Sequence, residues 1–251
     1  MNHGSLFSGI GGFDLAAEWM GWNNIFHVEK DKYRNEFLKR KWPNAHSYRD
    51  VCDVDYKPYR GIINVLSGGF PCQDVSNAKQ NEKGKGIHGS RTGLVFEQLR
   101  AIREARPEYG VFENVSNILK INQGNDFRII LNELARMGYN AEWRVCYASD
   151  QGAPHKRARC YLVAYSNSIR VQQGKHILSN VRAKVAPKRR RIIGTTVQAW
   201  GSWDSEPEIL CMDDGISRVL VRKQLECYGN AVVPQIPYEI FKTIEAYEQK
   251  R

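Results

Sequence analysis

Residues His3 to Ser8 form a short apolar stretch that runs straight into the glycine-rich turn Gly9-Ile10-Gly11-Gly12. Phe13, Ala16, Ala17 and Met20 then recur at helical spacing up to Gly21. Strand, glycine loop and helix in immediate succession narrow the possible folds more than anything else in the chain, because such a unit buries both its faces only inside an α/β sheet. A second unit follows, with a strand expected over Ile25 to Val28, ending at Glu29, and a helix over Asp31 to Lys41 stopped before Pro43. Ile62 to Leu66 reads as a buried strand that leads through Ser67-Gly68-Gly69 into Phe70-Pro71-Cys72. Further on, the pattern predicts a helix from Leu94 to before Pro107, a strand over Tyr109 to Phe112 ending at Glu113-Asn114, and a helix over Phe127 to Met137. Two more strands are expected at Glu142 to Tyr147 and Cys160 to Tyr165, and a last helix at about Tyr238 to Gln249. The sum is an α/β fold, a sheet covered by helices on both faces.

A chain of 251 residues can bury a proper core, and a hydrophobic fraction of 42% with 25% charged residues is ordinary for a globular protein. No apolar run approaches the roughly 20 residues that span a bilayer, and MNHGSLFSGIGGF has none of the ordered parts of a secretory signal, so a cytoplasmic protein without membrane association is expected. Lysine and arginine number 37 against 27 acids, a net charge of +10 that favours a polyanionic partner, nucleic acid first. The six cysteines are scattered and include no C-x-x-C pair, which indicates neither a zinc site nor a disulfide framework.

Composition changes after Tyr165. Ser166 to Arg191 has few large apolar residues, is rich in glutamine, lysine and arginine, and culminates in Pro187-Lys188-Arg189-Arg190-Arg191. The chain therefore divides into a main unit, 1–165, a basic segment, 166–225, and a C-terminal segment, 226–251, that returns to the main unit through Gly229-Asn230-Ala231-Val232-Val233-Pro234 and the last helix.

Four places carry chemistry. Glycines directly after a first strand let backbone approach a ligand, and Glu29, about 20 residues beyond Gly9, stands where an acid can hold ribose hydroxyls. The turn lacks the Lys-Ser/Thr ending of a phosphate-gripping loop, which points to a nucleoside cofactor other than a triphosphate. Cys72 follows a proline at a strand end, flanked by Gly68-Gly69-Phe70 and by polar Gln73, Asp74 and Ser76. Free cysteines are most often inert core residues, but core packing requires no such flanks, whereas a thiol on a rigid turn at a cleft does. Glu113 ends another strand and opens toward the same cleft. Arg157 and Arg159, in His155-Lys156-Arg157-Ala158-Arg159, are expected on one side of a strand, because side chains alternate with period two.

Taken in order, FSGIGGF (Phe7 to Phe13), Glu29, Asp50-Val51, GGFPCQDVS (Gly68 to Ser76), Arg91 to Leu94, ENV (Glu113 to Val115), HKRAR (His155 to Arg159) and GNAVVP (Gly229 to Pro234) closely resemble the motifs of DNA cytosine-C5 methyltransferases. The resemblance covers nearly the whole chain apart from the basic segment. It implies a Rossmann-like methyltransferase sheet and S-adenosylmethionine as methyl donor, with no metal. Cys72 would be the nucleophile that adds to a cytosine rotated out of duplex DNA, Glu113 would act at ring nitrogen 3, Arg159 would hold the ring oxygen and Arg157 help orient these groups. Phe7, Ser8, Gly9, Ile10, Gly11 and Gly12 would line the cofactor, Glu29 bind its ribose, Lys30, Asp50 and Val51 meet its adenine end, and Pro71, Leu94, Asn230, Ala231 and Val232 close its pocket. Gln73, Ser76 and Arg91 would meet DNA, and Lys188, Arg189, Arg190 and Arg191 its phosphates.

Three positions depart from the family pattern: His155 stands where glutamine is usual, Lys30 where an aromatic or apolar residue often stacks on adenine, and Ser5 where an acid is frequent. The family places target recognition in the variable segment. Here that segment has about 60 residues, so a reduced region reading a short site, or reading weakly, is expected. The remaining expectations are a monomer and, as a partner of restriction-modification systems, a cognate endonuclease.

Overall fold

The computed structural model describes residues 1–70, 93–153, 156–169, 176–181 and 231–249. The described strands are β1 (Asn2–Leu6), β2 (Asn23–Val28), β3 (His46–Tyr48), β4 (Val65–Gly68), β5 (Tyr109–Val115), β6 (Tyr139–Tyr147) and β7 (Ala158–Ser166). The helices are α1 (Gly12–Trp19), α2 (Lys32–Lys41), α3 (Leu94–Ala105), α4 (Asn125–Arg136) and α5 (Gln235–Glu248). The strands form one seven-stranded sheet in the order β3-β2-β1-β4-β5-β7-β6. Pairing is parallel from β3 across to β5, and antiparallel between β5 and β7 and between β7 and β6.

Period-two alternation sends neighbouring apolar residues to opposite faces, and a sheet buried on both sides uses both sets. Leu66, Phe112 and Leu162 enter one core with Val95, Leu99 and Ile102 of α3 and Phe127, Ile130 and Leu134 of α4. Val65, Val111 and Val163 enter the other with Phe13, Ala16 and Ala17 of α1 and Ile236, Ile240, Phe241 and Ile244 of α5. Helices thus cover both faces, as the sequence pattern implies. The last helix is held by stacking of Phe241 on Trp22, ring centroids 4.7 Å apart, and by Trp22 Nε1 donating to Glu245 at 3.0 Å. Ile169, Ile177, Leu178 and Val181 are buried in this second core, so the chain beyond β7 starts out packed against the main unit.

Element bounds differ from the expected ones where apolar pattern and hydrogen bonding part company. β4 begins at Val65, because Asn64 and the residues before it are turning out of the short 3-10 helix Lys57–Tyr59 when the register with β1 starts at His3 opposite Val65. β5 runs on through Glu113 and Asn114 to Val115, paired to β7 throughout. β3 and the first residues of β6 are additions. α5 starts three residues early, with Pro237 in the first turn where the missing N–H costs nothing.

Strand order reverses direction at β1: the chain winds outward to β2 and β3 on one side, then returns to β4 on the other. Open α/β sheets bind ligands in the crevice beyond the carboxyl ends of strands at such a switch point. Here those ends are Leu6 and Gly68, followed by the glycine turn and by Gly69-Phe70.

Candidate active site

The turn after β1 is built from left-handed backbone at Phe7 (φ 51°), Gly9 (φ 59°) and Gly11 (φ 82°). A residue other than glycine costs roughly 1–2 kcal/mol in that region, so Phe7 is held there by its surroundings. Ser8, between them, is engaged at every backbone group: its N–H donates to Val28 O at 3.0 Å and its carbonyl accepts from Gly11 N at 2.8 Å. A side chain at Gly9 would meet nothing within 4 Å, so the turn is open on that side. A β-carbon at Gly11 would lie 2.4 Å from the Trp42 ring, and one at Gly12 2.4 Å from the carbonyl oxygen of Val232. The third glycine is therefore required by the close approach of the C-terminal segment, which places Val232 on the turn.

Glu29, at the end of β2, accepts from Gly9 N at 2.8 Å and from Asp31 N at 2.9 Å, one on each carboxylate oxygen. Burial pushes its pKa up, opposed by those two N–H donors. Each oxygen keeps a further lone pair, which suits an acceptor for vicinal hydroxyls beside an open turn. Open backbone at Gly9 and an acid bonded to that same residue fit a nucleoside cofactor. Lys30 is exposed and pairs with Asp50 at 2.8 Å, raising its own pKa and lowering that of Asp50. Asp50 also caps the short 3-10 helix Val51–Asp53 through Cys52 N. Val51 is packed into the first core, and its carbonyl accepts from Arg100 at 2.8 Å, so its side chain supports this edge from behind. Leu94 opens α3 and is partly buried against the same core.

On the other side of β4, Glu113 and Arg159 form an ion pair of 2.9 Å. In the β5–β7 register Glu113 faces Tyr161 and Val115 faces Arg159, so the pair is diagonal on one face of the sheet. Burial raises the pKa of Glu113, against the pull of Arg159 first and Arg157 second. A carboxyl held this way takes a proton more readily than an exposed one while staying next to two cations. A β-carbon at Gly69 would lie 3.1 Å from Glu113 Oε2, so the chain leading to Pro71-Cys72 passes directly over this carboxylate.

Arg157 departs from expectation. β7 begins at Ala158, and Arg157 precedes it with a left-handed φ of 31°. The two arginines thus converge on Glu113 from different backbone, not from one side of a strand. Arg157 Nη2 donates to Ala231 O at 2.8 Å. Consecutive residues Ala231 and Val232 therefore touch the arginine cluster and the glycine turn respectively, joining the two halves of the crevice. Asn114, given no role of its own by sequence, points to the opposite face from Glu113 and donates to Phe70 O at 3.3 Å. The signal for it was alternation: next to a cleft acid, a polar residue facing the core needs a backbone partner.

Of the described cysteines, burial pushes Cys146 up to about 11 and Cys160 up to about 12, and Cys52 is also raised, so none of these three is poised as a thiolate. Cys72 and Pro71 lie outside the described residues, as do Gln73, Ser76, Arg91, His155, Asn230 and Lys188, Arg189, Arg190 and Arg191.

The family model described as C-5 cytosine-specific DNA methylase matches residues 1–206. Type II methyltransferase M.Sau3AI of Staphylococcus aureus is 33% identical over 178 residues, 65% of this chain and 43% of that protein. Type II methyltransferase M.HhaI of Haemophilus parahaemolyticus is 33% identical over 168 residues, covering 66% and 50%. The chain thus spans about half the length of these curated relatives. Among solved structures, the Entamoeba histolytica methyltransferase EhMeth superposes with a TM-score of 0.67 at 16% identity, covering 100% of this chain and 99% of that one. The S. pombe Dnmt2 methyltransferase gives 0.58 at 20% identity, covering 76% and 58%. At such identities the likeness is one of fold.

Proposed function

The chain belongs to the C-5 cytosine-specific DNA methylase family, and from that premise we propose that it transfers a methyl group from S-adenosylmethionine to carbon 5 of cytosine in duplex DNA through a covalent adduct of Cys72. The observation that carries this reading is the Glu113–Arg159 pair beside Gly69. Cys72 lies three residue steps beyond Gly69, a contour of at most about 11 Å.

S-adenosylmethionine supplies an electrophilic methyl group; everything else is the work of the chain. The Cys72 thiolate forms a bond to carbon 6 of a base rotated out of the stack. The electron pair displaced from the 5,6 double bond makes carbon 5 nucleophilic, while Glu113 donates a hydrogen bond or proton to nitrogen 3. Its raised pKa suits that task. Arg159 offers its guanidinium to the ring oxygen, and Arg157 fixes the C-terminal segment at Ala231. After methyl transfer, loss of the carbon 5 proton to a base and departure of the thiolate restore the aromatic ring. Glu29 and the Gly9 to Gly12 turn hold the cofactor, with Asn230 and Val232 closing its pocket. Residues 166–225 serve as a reduced recognition region whose arginines and lysines position the duplex through phosphates. The type II designation of the relatives supports pairing with a restriction endonuclease.

A duplex carrying 5-fluorocytosine tests the core of this reading, because fluorine blocks the final elimination. The full chain with cofactor is expected to form a covalent adduct, and Cys72→Ser to form none. Absence of a cofactor-dependent adduct on random-sequence DNA, with label entering transfer RNA alone, would overturn it.

A further inference from the structure

Below the glycine turn lies a buried acid that the reaction does not use. Asp14, in the first turn of α1, is fully buried. Ser5 Oγ lies 2.8 Å from its Oδ1 and 3.0 Å from its Oδ2, the forked geometry of a hydroxyl shared between two carboxylate oxygens. Ser5 Oγ is also 2.6 Å from Ser8 Oγ, which accepts from Val28 N at 3.2 Å. Asp14, Ser5 and Ser8 thus form one chain from helix to strand to turn, ending on the residue set between the left-handed Phe7 and Gly9.

We propose that Asp14 is a positioning residue for the cofactor turn: its carboxylate orients the Ser5 and Ser8 hydroxyls and through them pins the backbone from Phe7 to Gly12. This rests on the cofactor reading above. With Asp14 ionised, Ser8 donates to Ser5 and Ser5 donates to Asp14, and every short contact is used. With Asp14 protonated the direction reverses. Asp14 then donates to Ser5 and Ser5 to Ser8, leaving the Ser8 hydroxyl only the carbonyls of Ser5 and Val28, each at 3.3 Å and longer than a good O–H···O bond. The turn is pinned less firmly.

Burial raises the pKa of Asp14 to about 7, so the reversal falls in the neutral range. Among the described residues, the strands beside Asp14 carry His3 on β1 and His27 on β2, both lowered by burial to about 4 and neutral across that range, while Tyr109, Cys146, Tyr161 and the Glu113–Arg159 pair lie further along the same face. From α5, Glu245 accepts from Trp22 and Glu248 from Tyr109, while Glu239 pairs with Lys242. Glu29, on the far side of the turn, is also raised by burial, and Asp14 is not among the groups that shift it, so the pH dependence assigned to Asp14 is the part that its replacement removes. An acid with a folded pKa raised from 3.8 to about 7 stabilises the fold below its unfolded value and loses that contribution as pH rises toward 7. Fold stability at pH 8 therefore gives no reason for an ionisable group at this position, whereas cofactor binding does.

Calorimetric titration of the full chain with S-adenosylhomocysteine at pH 6, 7 and 8, with Tm measured alongside, separates the roles. Wild type is expected to bind several-fold more tightly at pH 8 than at pH 6. Asp14→Asn should bind several-fold more weakly at pH 8, lose that pH dependence, and keep or raise Tm at pH 8. Ser8→Ala should show the same loss of pH dependence, and the double variant should bind no worse than the weaker single one. Ser8→Ala carries the test if Asp14→Asn does not fold. Variants that bind within twofold of wild type with its pH profile, or an Asp14→Asn that binds weakly only because Tm has fallen, would overturn the proposal alone. A wild type that binds no S-adenosylhomocysteine at any pH would overturn the cofactor reading, and the proposal with it.

Discussion

In the proposed reaction Glu113 has to do two things that pull against each other. To act on nitrogen 3 it must carry or share a proton near neutral pH, yet it sits 2.9 Å from the Arg159 guanidinium, which favours the carboxylate. The net shift is upward because burial outweighs both arginines. Removing the proton-carrying group while keeping its shape should therefore separate chemistry from binding. For Glu113→Gln we expect turnover on duplex DNA to fall by roughly 100-fold or more, the range of a general acid–base contribution, with S-adenosylhomocysteine affinity within about twofold of wild type. Single-turnover methylation beside ligand titration measures both. An equal loss of ligand affinity would mean that Glu113 supports the crevice and not the reaction. The same residue scale explains the departure at Ser5. The acid frequent at that position is replaced by a hydroxyl, but Asp14, nine residues on, brings a carboxylate to it.

At the scale of elements, the turn between β1 and α1 uses its glycines for different reasons. Gly9 has a positive φ and no protein atom near its missing side chain, so Gly9→Ala should cost the fold only left-handed strain, about 1–2 kcal/mol, while its methyl enters the space proposed for the cofactor and weakens binding without abolishing it. Gly12 lies under the carbonyl of Val232 at a distance no β-carbon tolerates. Gly12→Ala must push the C-terminal segment off the turn and, through Ala231, loosen Arg157 from its anchor. We expect it to abolish measurable S-adenosylhomocysteine binding; similar modest effects for both substitutions would refute that distinction. The glycine turn was legible in the sequence because conformational freedom is written in residue type. The identity of the backbone pressing on Gly12 was legible only through family resemblance, since contacts between residues 12 and 232 leave no local pattern. β5 shows the same limit. Its apolar alternation stops at Phe112, which places the strand's end at Glu113-Asn114, but the ladder with β7 continues to Val115 because hydrogen bonding does not depend on hydrophobicity. Arg157 escaped the period-two argument because it precedes β7 on left-handed backbone. The Asp14 chain escaped because Ser5, Ser8 and Asp14 form no motif until a strand, a turn and a helix bring them together.

For the whole molecule, the division of labour proposed between crevice and basic segment makes a quantitative claim about salt. Every phosphate neutralised by a lysine or arginine releases counterions, so the logarithm of DNA affinity falls with the logarithm of salt concentration by about 0.9 for each contact on B-DNA. Lys188, Arg189, Arg190 and Arg191 are four adjacent cations in a chain with a net charge of +10. If all four meet phosphates, replacing them with alanine should make that slope shallower by about 3 to 4 and weaken binding to every duplex sequence alike. S-adenosylhomocysteine affinity should not change, because the crevice is assembled from β1, β2, β4, β5, β7 and the segment before α5. Fluorescence anisotropy on two unrelated duplexes at several salt concentrations distinguishes the alternatives. A slope unchanged within one unit would place the phosphate contacts elsewhere, with other basic residues of the chain the next to replace. A loss confined to one sequence would make this cluster a reader of bases, and the segment around it more than an electrostatic guide.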